Sequence, residues 1–365
     1  MKQTLALRIL GEVMRWDSSR CRDEFGWLSL MSRLKYDGYR GFTAGARFLE
    51  SLAYWLQQFR PAERETAYAF VRDHLLYFGP QEVQHLVELF FPEVVQRRLT
   101  RKLAQDLGVP PYRVWSHSDS ATAFKRLVRR TLFMGLSDGA RIDAFRRANE
   151  GNVSNEQVVV ATEINDKKWE SLRKKLRADV GDPTARFAFI YLLDDFTGSG
   201  TTLLRPEEGG WDGKLHRFWT QTAKEFEATF DSDVVLGVHH YVASAQSRES
   251  NLRRLAEAKA APDAAWLQRV EFTYGIVLPE SILVTPESAA AFCELVERYY
   301  DPVIESESVK KGGTSAKFGF ANCRLPLVLE HNTPNNSIAL LWAETKGDES
   351  RPAMRPLFRR RQRHS

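Results

Sequence analysis

Residues 187–193 form the segment that most restricts how this chain can fold. They read Phe-Ala-Phe-Ile-Tyr-Leu-Leu, apolar or aromatic at every position rather than at alternate positions. A strand with this pattern is buried on both faces, which is typical of the centre of a parallel sheet with helices on each side. The segment therefore predicts an α/β fold with an open, mostly parallel sheet.

Short apolar runs alternate with helical stretches from about residue 130 onward, which is the order expected of β-α-β units. Residues 205–213, rich in Gly and Glu, are predicted to be a surface loop. The further predicted strands cover residues 131–134, 234–241, 270–277 and 325–329. The predicted helices cover residues 166–179, 214–230, 244–260 and 287–300.

The first 125 residues instead show apolar positions at helical spacing, for example Val83, Leu86, Val87 and Phe90 behind Pro80. Several amphipathic helices need surfaces that cover them, so we expect a protein partner or self-association through residues 1–125. The predicted segments are a helical N-terminal domain at 1–125, an α/β domain at 126–345 and a basic disordered tail at 346–365.

The net charge of +5 is confined to the end of the chain. Residues 346–365 hold seven basic and two acidic side chains, so the rest of the chain is neutral overall. This segment lacks a regular apolar period and is expected to be mobile, because it cannot offset its ordering entropy. Its arginines predict weak, salt-dependent contact with nucleic-acid phosphates, or no specific contact at all.

The remaining composition is that of an ordinary globular protein. Of 365 residues, 43% are hydrophobic and 27% charged, which excludes a globally disordered chain. The three cysteines show no C-x-x-C spacing and suggest neither a disulfide framework nor a zinc site. No run approaches the ~20 apolar residues of a membrane span and no secretory signal is recognisable, so we expect a cytoplasmic protein without membrane contact.

The predicted central strand ends in Asp194 and Asp195, and after Phe196 the chain contains only Gly, Ser and Thr as far as residue 202. Open α/β sheets bind ligands at the carboxyl ends of their strands. A Gly-rich loop presents main-chain N–H groups and hydroxyls to a phosphate, while carboxylates accept bonds from sugar hydroxyls or hold a hydrated Mg²⁺. The predicted ligand-binding residues of this loop are Thr197, Gly198, Ser199, Gly200, Thr201 and Thr202.

Two interpretations other than a phosphate-binding loop also account for an acidic pair followed by a Gly-rich segment. A strand that ends in acids also fits a Walker B element, but a G-x-x-x-x-G-K-[ST] loop is absent from the sequence. A Gly-rich turn capped by an aspartate needs no ligand, and this interpretation stays open.

The order Asp-Asp-x-x-x-Ser-Gly-x-Thr at 194–202 resembles the phosphoribosyl-diphosphate loop of the type I phosphoribosyltransferases. The resemblance implies that Asp194 and Asp195 bind the ribose hydroxyls, that the loop wraps the 5′-phosphate, and that Mg²⁺ is held near both acids through water. It also implies chemistry of the glycosyltransferase class at the anomeric carbon, with Asp194, Asp195 and Arg141 as the predicted catalytic residues. The resemblance extends over residues 130–342 in the order of elements.

A second loop, Ser137-Asp138-Gly139-Ala140-Arg141, follows the predicted strand 131–134, where that family's pyrophosphate-binding loop would fall. Arg141 can donate two bonds to a diphosphate, and Gly139 lets the backbone approach it. An ordinary turn in which Asp138 caps a helix at 140–149 is an alternative that stays open.

A narrower resemblance joins the helical front end, residues 137–143, the loop at 194–202 and His331-Asn332-Thr333-Pro334-Asn335-Asn336. Together they are similar to the PRTase-CE proteins of bacterial conflict systems, which are thought of as anti-phage effectors or sensors. The amides of Asn332, Asn335 and Asn336 are candidates for reading a nucleobase or sugar in an acceptor site. Asn-Pro turns also form without a ligand, so this alternative stays open.

The sequence departs from the phosphoribosyltransferase pattern immediately after the loop. Residues 203–206 and the glycines at 209 and 210 interrupt the long helix that usually follows.

From the two loops and the resemblances together we expect a phosphoribosyl-binding protein, either a Mg²⁺-dependent transferase in a defence system or a non-catalytic sensor or adaptor.

Overall fold

The computed structural model describes residues 3–42, 47–208, 210–261, 265–305, 309, 315–348 and 351–360. The chain divides into two compact units. Unit 1 consists of Met1–Glu82 together with Pro279–Ser365, and unit 2 consists of Val83–Leu278. This division differs from the boundaries at 125 and 345 that the sequence suggested, because both ends of the chain contribute to unit 1.

The elements are named in chain order. The described helices are α1 (Gln3–Met14), α2 (Ser18–Leu34), α3 (Phe48–Leu56), α4 (Arg64–Asp73), α5 (Pro80–Phe90), α6 (Arg97–Leu107), α7 (Ser120–Arg129), α8 (Ile142–Ala148), α9 (Asp166–Val180), α10 (Lys214–Thr222), α11 (Phe226–Thr229), α12 (Ala245–Lys259), α13 (Pro286–Tyr299) and α14 (Ala339–Trp342). The described strands are β1 (Leu76–Phe78), β2 (Thr131–Gly135), β3 (Val158–Val159), β4 (Phe187–Thr197), β5 (Arg205–Glu207), β6 (Gly210–Asp212), β7 (Phe230–Ser244), β8 (Val270–Leu278) and β9 (Leu327–Leu329).

Unit 2 is built on a five-stranded sheet in the order β3-β2-β4-β7-β8, and every pair of neighbours is parallel. The predicted strand at 187–193 is its centre, and both faces of it are buried, with Phe187, Ile190 and Leu192 in one apolar cluster. The α/β fold class with an open parallel sheet is confirmed. The N-terminal helices α1 and α2 precede it in the chain.

The helical stretch after residue 83, expected in the N-terminal domain, packs on this sheet instead. Phe90 at the end of α5 lies 5.4 Å from the ring of Tyr191 on β4 and 4.4 Å from that of His239 on β7, measured between ring centroids. The apolar stripe that periodicity reveals along α5 therefore covers a sheet face. Periodicity alone does not show which surface a stripe covers, so it cannot assign α5 to one unit or the other.

Unit 1 combines helices from both ends of the chain around a separate apolar cluster that includes Leu52, Trp55 and Val296. Its strands β1 and β9 pair in parallel, with Leu76 opposite Leu327. The strand expected at 325–329 therefore exists as β9 but does not join the five-stranded sheet.

Part of the predicted disordered tail is folded into unit 1. Residues 351–360 bury Met354, Leu357 and Phe358, and the N–H groups of Leu357 and Phe358 donate to the carbonyl of Leu341 at 3.1 and 2.9 Å. The expectation of a mobile segment fails here because irregularly spaced apolar residues still fill tertiary pockets. Residues 349–350 and 361–365 lie outside the described part of the chain.

Two of the arginines in this segment also contact unit 1. Arg359 pairs with Glu344 at 2.7 Å, and the guanidinium of Arg360 lies 5.2 Å from the ring centroid of Trp342.

No helix in the described ranges is long and apolar enough to cross a membrane. Exposed apolar side chains on α1 and α2 include Leu5, Phe25, Leu30 and Leu34. The partner surface expected within residues 1–125 stays a prediction.

Candidate functional site

The two predicted ligand loops lie side by side at the carboxyl edge of the sheet of unit 2. The strands in chain order take the spatial order 2-1-3-4-5, so the direction of winding reverses between β2 and β4. Ligands of open α/β sheets bind outside the carboxyl ends of the strands at such a reversal. Gly135 lies opposite Leu193, and the N–H of Leu136 donates to the carbonyl of Leu193 at 2.8 Å. The loop that follows β2 therefore starts beside Leu193, next to Asp194 on β4, and β4 continues to Thr197 before its own loop begins.

Asp194 is buried within β4, three residues before the strand ends, and accepts hydrogen bonds at both carboxylate oxygens. Oδ1 accepts bonds from Ser137 Oγ and from the N–H of Asp195, the latter at 3.1 Å. Oδ2 accepts a bond from Lys214 Nζ at 2.5 Å. Burial raises the pKa of Asp194 to about 6, with Lys214 opposing and the charge of Asp195 adding to the shift.

Asp195 is half-buried and faces the first loop. A Cβ atom built on Gly139 would lie 2.5 Å from Asp195 Oδ2, so only glycine allows this close approach. Asp138 is exposed and does not cap the helix, because α8 begins at Ile142 with Arg141 in the N-cap position. The alternative of an aspartate-capped helix at 140–149 therefore does not describe this turn.

Arg141 has a left-handed backbone with φ of 51°. Its charge lies near the buried hydroxyl of Tyr241, on β7 below the acids. Burial raises the pKa of Tyr241, the charges of Asp195 and Asp194 raise it further, and Arg141 lowers it. The pKa of Tyr241 therefore responds to charged side chains from both predicted loops.

The loop at 198–202 turns sharply at Gly200. Gly200 has a φ of 73°, and Ser199 Oγ and Thr201 Oγ1 lie 2.8 Å apart. Within the described part of the chain, the N–H groups of Ser199, Gly200 and Thr202 have no recorded acceptor, whereas that of Thr201 donates to Ser199 Oγ at 3.4 Å. Thr197 to Gly200 are buried, Thr201 is half-buried and Thr202 is exposed.

Helix α12 supports this loop from behind, a contact that the sequence analysis missed. Ser244 Oγ donates to the carbonyl of Gly198 at 2.5 Å, and Ser247 Oγ donates to that of Thr197 at 2.8 Å. A Cβ on Gly200 would lie 2.7 Å from Asn251 Oδ1. Ser244 also caps α12 by accepting a bond from the N–H of Ser247, so a capping signal was present in the sequence, but its second role was not.

The second missed feature is the hairpin formed by β5 and β6, which lies between the loop and α10. It was predicted as a surface loop, and its two strands pair with Arg205 opposite Asp212. The hairpin explains the predicted interruption of the helix and returns the chain so that α10 starts at Lys214. No local pattern marks Lys214 as a partner of Asp194, because the contact depends on this reversal of the chain.

His239 and His240 lie buried among apolar neighbours on β7. Burial lowers the pKa of each to about 3, and the Lys214 charge contributes for His240. His239 Nδ1 lies 3.0 Å from Thr273 Oγ1. Both imidazoles are therefore neutral at physiological pH.

The carboxylates of the site do not fit a Mg²⁺ ion held by protein ligands. Magnesium takes six oxygen ligands in near-octahedral geometry. Asp194 already accepts bonds at both oxygens, one of them from a lysine ammonium, which leaves Asp195 as the carboxylate of the pair that faces the loops. Among the described residues, no group of three or more His, Cys, Asp or Glu side chains is arranged to hold a metal.

The predicted acceptor residues belong to unit 1 and are used in bonds within it. Asn336 Nδ2 donates to the carbonyl of Phe320 at 3.2 Å, and the carbonyl of Asn335 accepts from the N–H of Phe320 at 2.7 Å. The main chain of Asn332 pairs with that of Leu329. These are bonds of a structured turn, and the role of Asn332, Asn335 and Asn336 in an acceptor site stays a prediction.

A groove of ≈ 950 Å³ in unit 2 lies away from the two loops. Its lining includes Val128 and Arg129, which immediately precede β2, so it opens at the amino end of the sheet. The predicted catalytic acids do not line it.

Comparison with known proteins gives one family match. A model of the PRTase-CE family matches residues 52–360, which include both loops, α12, Lys214 and the packed segment 351–360. No curated protein and no solved structure matches the chain. Because the family match covers most of its length, the chain belongs to the PRTase-CE family, whose members are phosphoribosyltransferase-like.

Proposed function

We propose that this protein binds a 5-phosphoribosyl compound, with phosphoribosyl diphosphate as the first candidate, at the loops 136–141 and 194–202. The observation that carries the proposal is the meeting of these loops at the reversal point of the sheet. Within the described residues, the N–H groups of Ser199, Gly200 and Thr202 donate to no other protein group, and both loops supply charged side chains. Family membership supports the same ligand class.

Each part of such a ligand has matching groups in the proposed site. The N–H groups of residues 199–202 suit the 5′-phosphate, since main-chain donors in a Gly-rich turn bind anions. Asp195 is open enough to accept bonds from ribose hydroxyls, whereas Asp194 is buried and holds the adjoining groups in place. Arg141 suits a diphosphate, because its planar guanidinium donates two parallel bonds.

If a group is exchanged at the anomeric carbon, positive charge develops there as diphosphate leaves. Arg141 would stabilise the departing negative charge, which is a preorganised electrostatic contribution. Asp195 would hold the ribose in a fixed orientation. No step of this proposal is assigned to Mg²⁺, because the bonds of Asp194 do not suit direct ligation of a metal; a hydrated Mg²⁺ near both acids stays a prediction.

A non-catalytic phosphoribosyl sensor is the second candidate, and one observation favours it. The charge of Asp194 is neutralised by Lys214 inside the protein. The carboxylate therefore does not hold a metal that could activate the diphosphate as a leaving group. Release of diphosphate from phosphoribosyl diphosphate distinguishes the two candidates. Turnover that is lost in Arg141→Lys supports the transferase, and binding without release supports the sensor.

Calorimetric titration tests the binding proposal itself. Phosphoribosyl diphosphate should bind the wild type and should not bind the Asp194→Asn/Asp195→Asn double variant. Asp166→Asn is the matched control, because Asp166 is an exposed aspartate of the same unit that pairs with Lys224. Absence of binding by the wild type would remove the proposal.

A role as an anti-phage effector rests on what the PRTase-CE resemblance implies and is part of the same proposal. Bacteria that express the wild type in its native gene context should resist phage better than bacteria that express Asp195→Asn. Equal plaque counts in both strains would count against this role.

A further inference from the structure

Asp194 has its counter-charge inside the chain. Lys214 Nζ lies 2.5 Å from Asp194 Oδ2, and Asp194 is only 2% exposed. A buried carboxylate needs an opposite charge close by, since desolvation disfavours the ionised form. In a phosphate-binding site that charge can come from a divalent cation or from a side chain, and here a side chain supplies it.

The position of Lys214 is fixed by the main chain around it. Its N–H donates to the carbonyl of Thr202 at 2.9 Å, and the N–H of Leu215 donates to that of Leu203 at 3.0 Å. Gly213 has a φ of 122°, and a Cβ atom there would collide with the carbonyl of Leu203. Leu215 is fully buried in the apolar cluster of unit 2. The start of α10 is therefore bound to the end of the phosphate loop.

A metal ion and this lysine would compete for the same oxygen. A Mg²⁺ ion on Asp194 Oδ2 would lie within about 4 Å of Nζ, given a Mg–O distance of ~2.1 Å, and the two cations repel at that range. Asp194 Oδ1 is engaged as well, by Ser137 Oγ and the N–H of Asp195. Binding of a metal to Asp194 therefore requires that Lys214 leave.

We propose that Lys214 takes the place of a divalent cation at Asp194, so that the site binds a ribose 5-phosphate group without metal. This inference rests on the proposed function for its ligand but not for its metal chemistry. It separates this chain from a site in which both acids act through Mg²⁺, and it assigns a positioning role to a residue outside both predicted loops.

The first test uses Mn²⁺ as a probe and no sugar phosphate. Electron paramagnetic resonance should detect no Asp194-dependent Mn²⁺ binding by the wild type. Lys214→Met should bind Mn²⁺, and Lys214→Met/Asp194→Asn should lose it again. Lys224→Met is the matched control, since it removes an exposed Lys–Asp pair of the same unit and should behave as the wild type.

The second test measures the affinity for ribose 5-phosphate, which chelates metals less than a diphosphate does. The wild type should bind equally well in EDTA and in Mg²⁺. Lys214→Met should bind about tenfold or more weakly in EDTA, because buried Asp194 loses its counter-charge, and Mg²⁺ should restore its affinity. Lys214→Arg keeps the charge and should remain independent of metal.

Asp194-dependent Mn²⁺ binding by the wild type, or no Mn²⁺ binding by folded Lys214→Met, would overturn the proposal. So would a wild-type affinity for ribose 5-phosphate that disappears in EDTA, a comparison that needs no variant to fold. If the wild type binds no phosphoribosyl compound under any condition, the proposed function fails, and the Mn²⁺ titration still decides the role of Lys214.

Discussion

Gly200 is the residue on which the shape of the loop at 198–202 most depends. Its φ of 73° disfavours any side chain, and a Cβ would lie 2.7 Å from Asn251 Oδ1. We expect Gly200→Ala to lower the free energy of unfolding by roughly 1–3 kcal/mol and to abolish binding of ribose 5-phosphate. Denaturant unfolding and calorimetry measure the two effects.

Gly151→Ala is the control for that substitution. Gly151 has a φ of 85°, but no atom lies within 4 Å of its Cβ position. The Gly151→Ala variant should therefore lose stability through backbone strain alone and keep the wild-type affinity for ribose 5-phosphate. If Gly200→Ala binds the ligand as Gly151→Ala does, the loop does not hold the phosphate.

Asp194 should make the stability of the protein depend on pH. Burial raises its pKa from 3.8 to about 6, so the folded protein holds this proton more tightly than the unfolded chain does. The corresponding stability is present below pH ~4 and is lost as pH rises through about 6, by ~3 kcal/mol at most. Asp194→Asn cannot titrate and should lack this part of the pH dependence.

Denaturant unfolding of both proteins between pH 4 and 8 measures the effect of Asp194. The difference in unfolding free energy between Asp194→Asn and the wild type should shift in favour of the variant as pH rises. Parallel curves for the two proteins would show that Asp194 has an ordinary pKa.

Among the residues of the candidate site, the sequence identified those that are neighbours in the chain. Asp194, Asp195 and the Gly-rich loop are consecutive and follow an apolar strand, so their chemistry was predictable. Lys214 and Ser247 were not, because each reaches the site through a fold of the chain that no local pattern encodes.

Among the elements, α12 links the loop to the rest of the sheet. Ser247 Oγ donates to the carbonyl of Thr197, and Ser247 is fully buried. Ser247→Ala should lower the free energy of unfolding by about 1–2 kcal/mol, because it leaves a buried carbonyl without this donor, and should weaken ribose 5-phosphate binding. Unfolding and binding measurements on the same variant check both effects.

Thr285→Ala is the matched control for that element. Thr285 caps α13 in unit 1 by accepting a bond from the N–H of Ser288. Its loss should cost a similar stability of ~1 kcal/mol and leave binding unchanged. Reduced stability in Ser247→Ala with intact affinity would mean that α12 supports the fold but not the ligand loop.

The long strands were predicted well, and several of the short ones were missed. The strands at 187–193, 234–241 and 270–277 are present as β4, β7 and β8, because each is long and apolar. Strands β1 and β3 have three and two residues and become strands only through their neighbours. The hairpin of β5 and β6 carries mainly Gly, Glu and Arg, which is also the composition of a loop.

At the scale of the whole molecule, the two ends of the chain close unit 1 together. Strand β1 pairs with β9, and Phe358 stacks within 5.8 Å of Phe48, measured between ring centroids. Contacts between residues so far apart in sequence leave no periodic pattern. The sequence therefore predicted three consecutive segments, whereas unit 1 combines both ends of the chain.

The packed segment 351–360 should therefore be required for unit 1. A chain that ends at residue 350 loses the buried side chains of Met354, Leu357 and Phe358, each worth about 1.5–3 kcal/mol. Their sum approaches the 5–15 kcal/mol that ordinarily stabilises a domain, so amides of β1 and β9 should lose protection from hydrogen exchange. Amides of β4 and β7 should keep this protection, because their side chains belong to a separate apolar cluster.

A chain that ends at Arg360 retains all three side chains and should exchange as the full-length protein does. Equal protection of β1 and β9 in both shortened chains would show that this segment is dispensable for the fold.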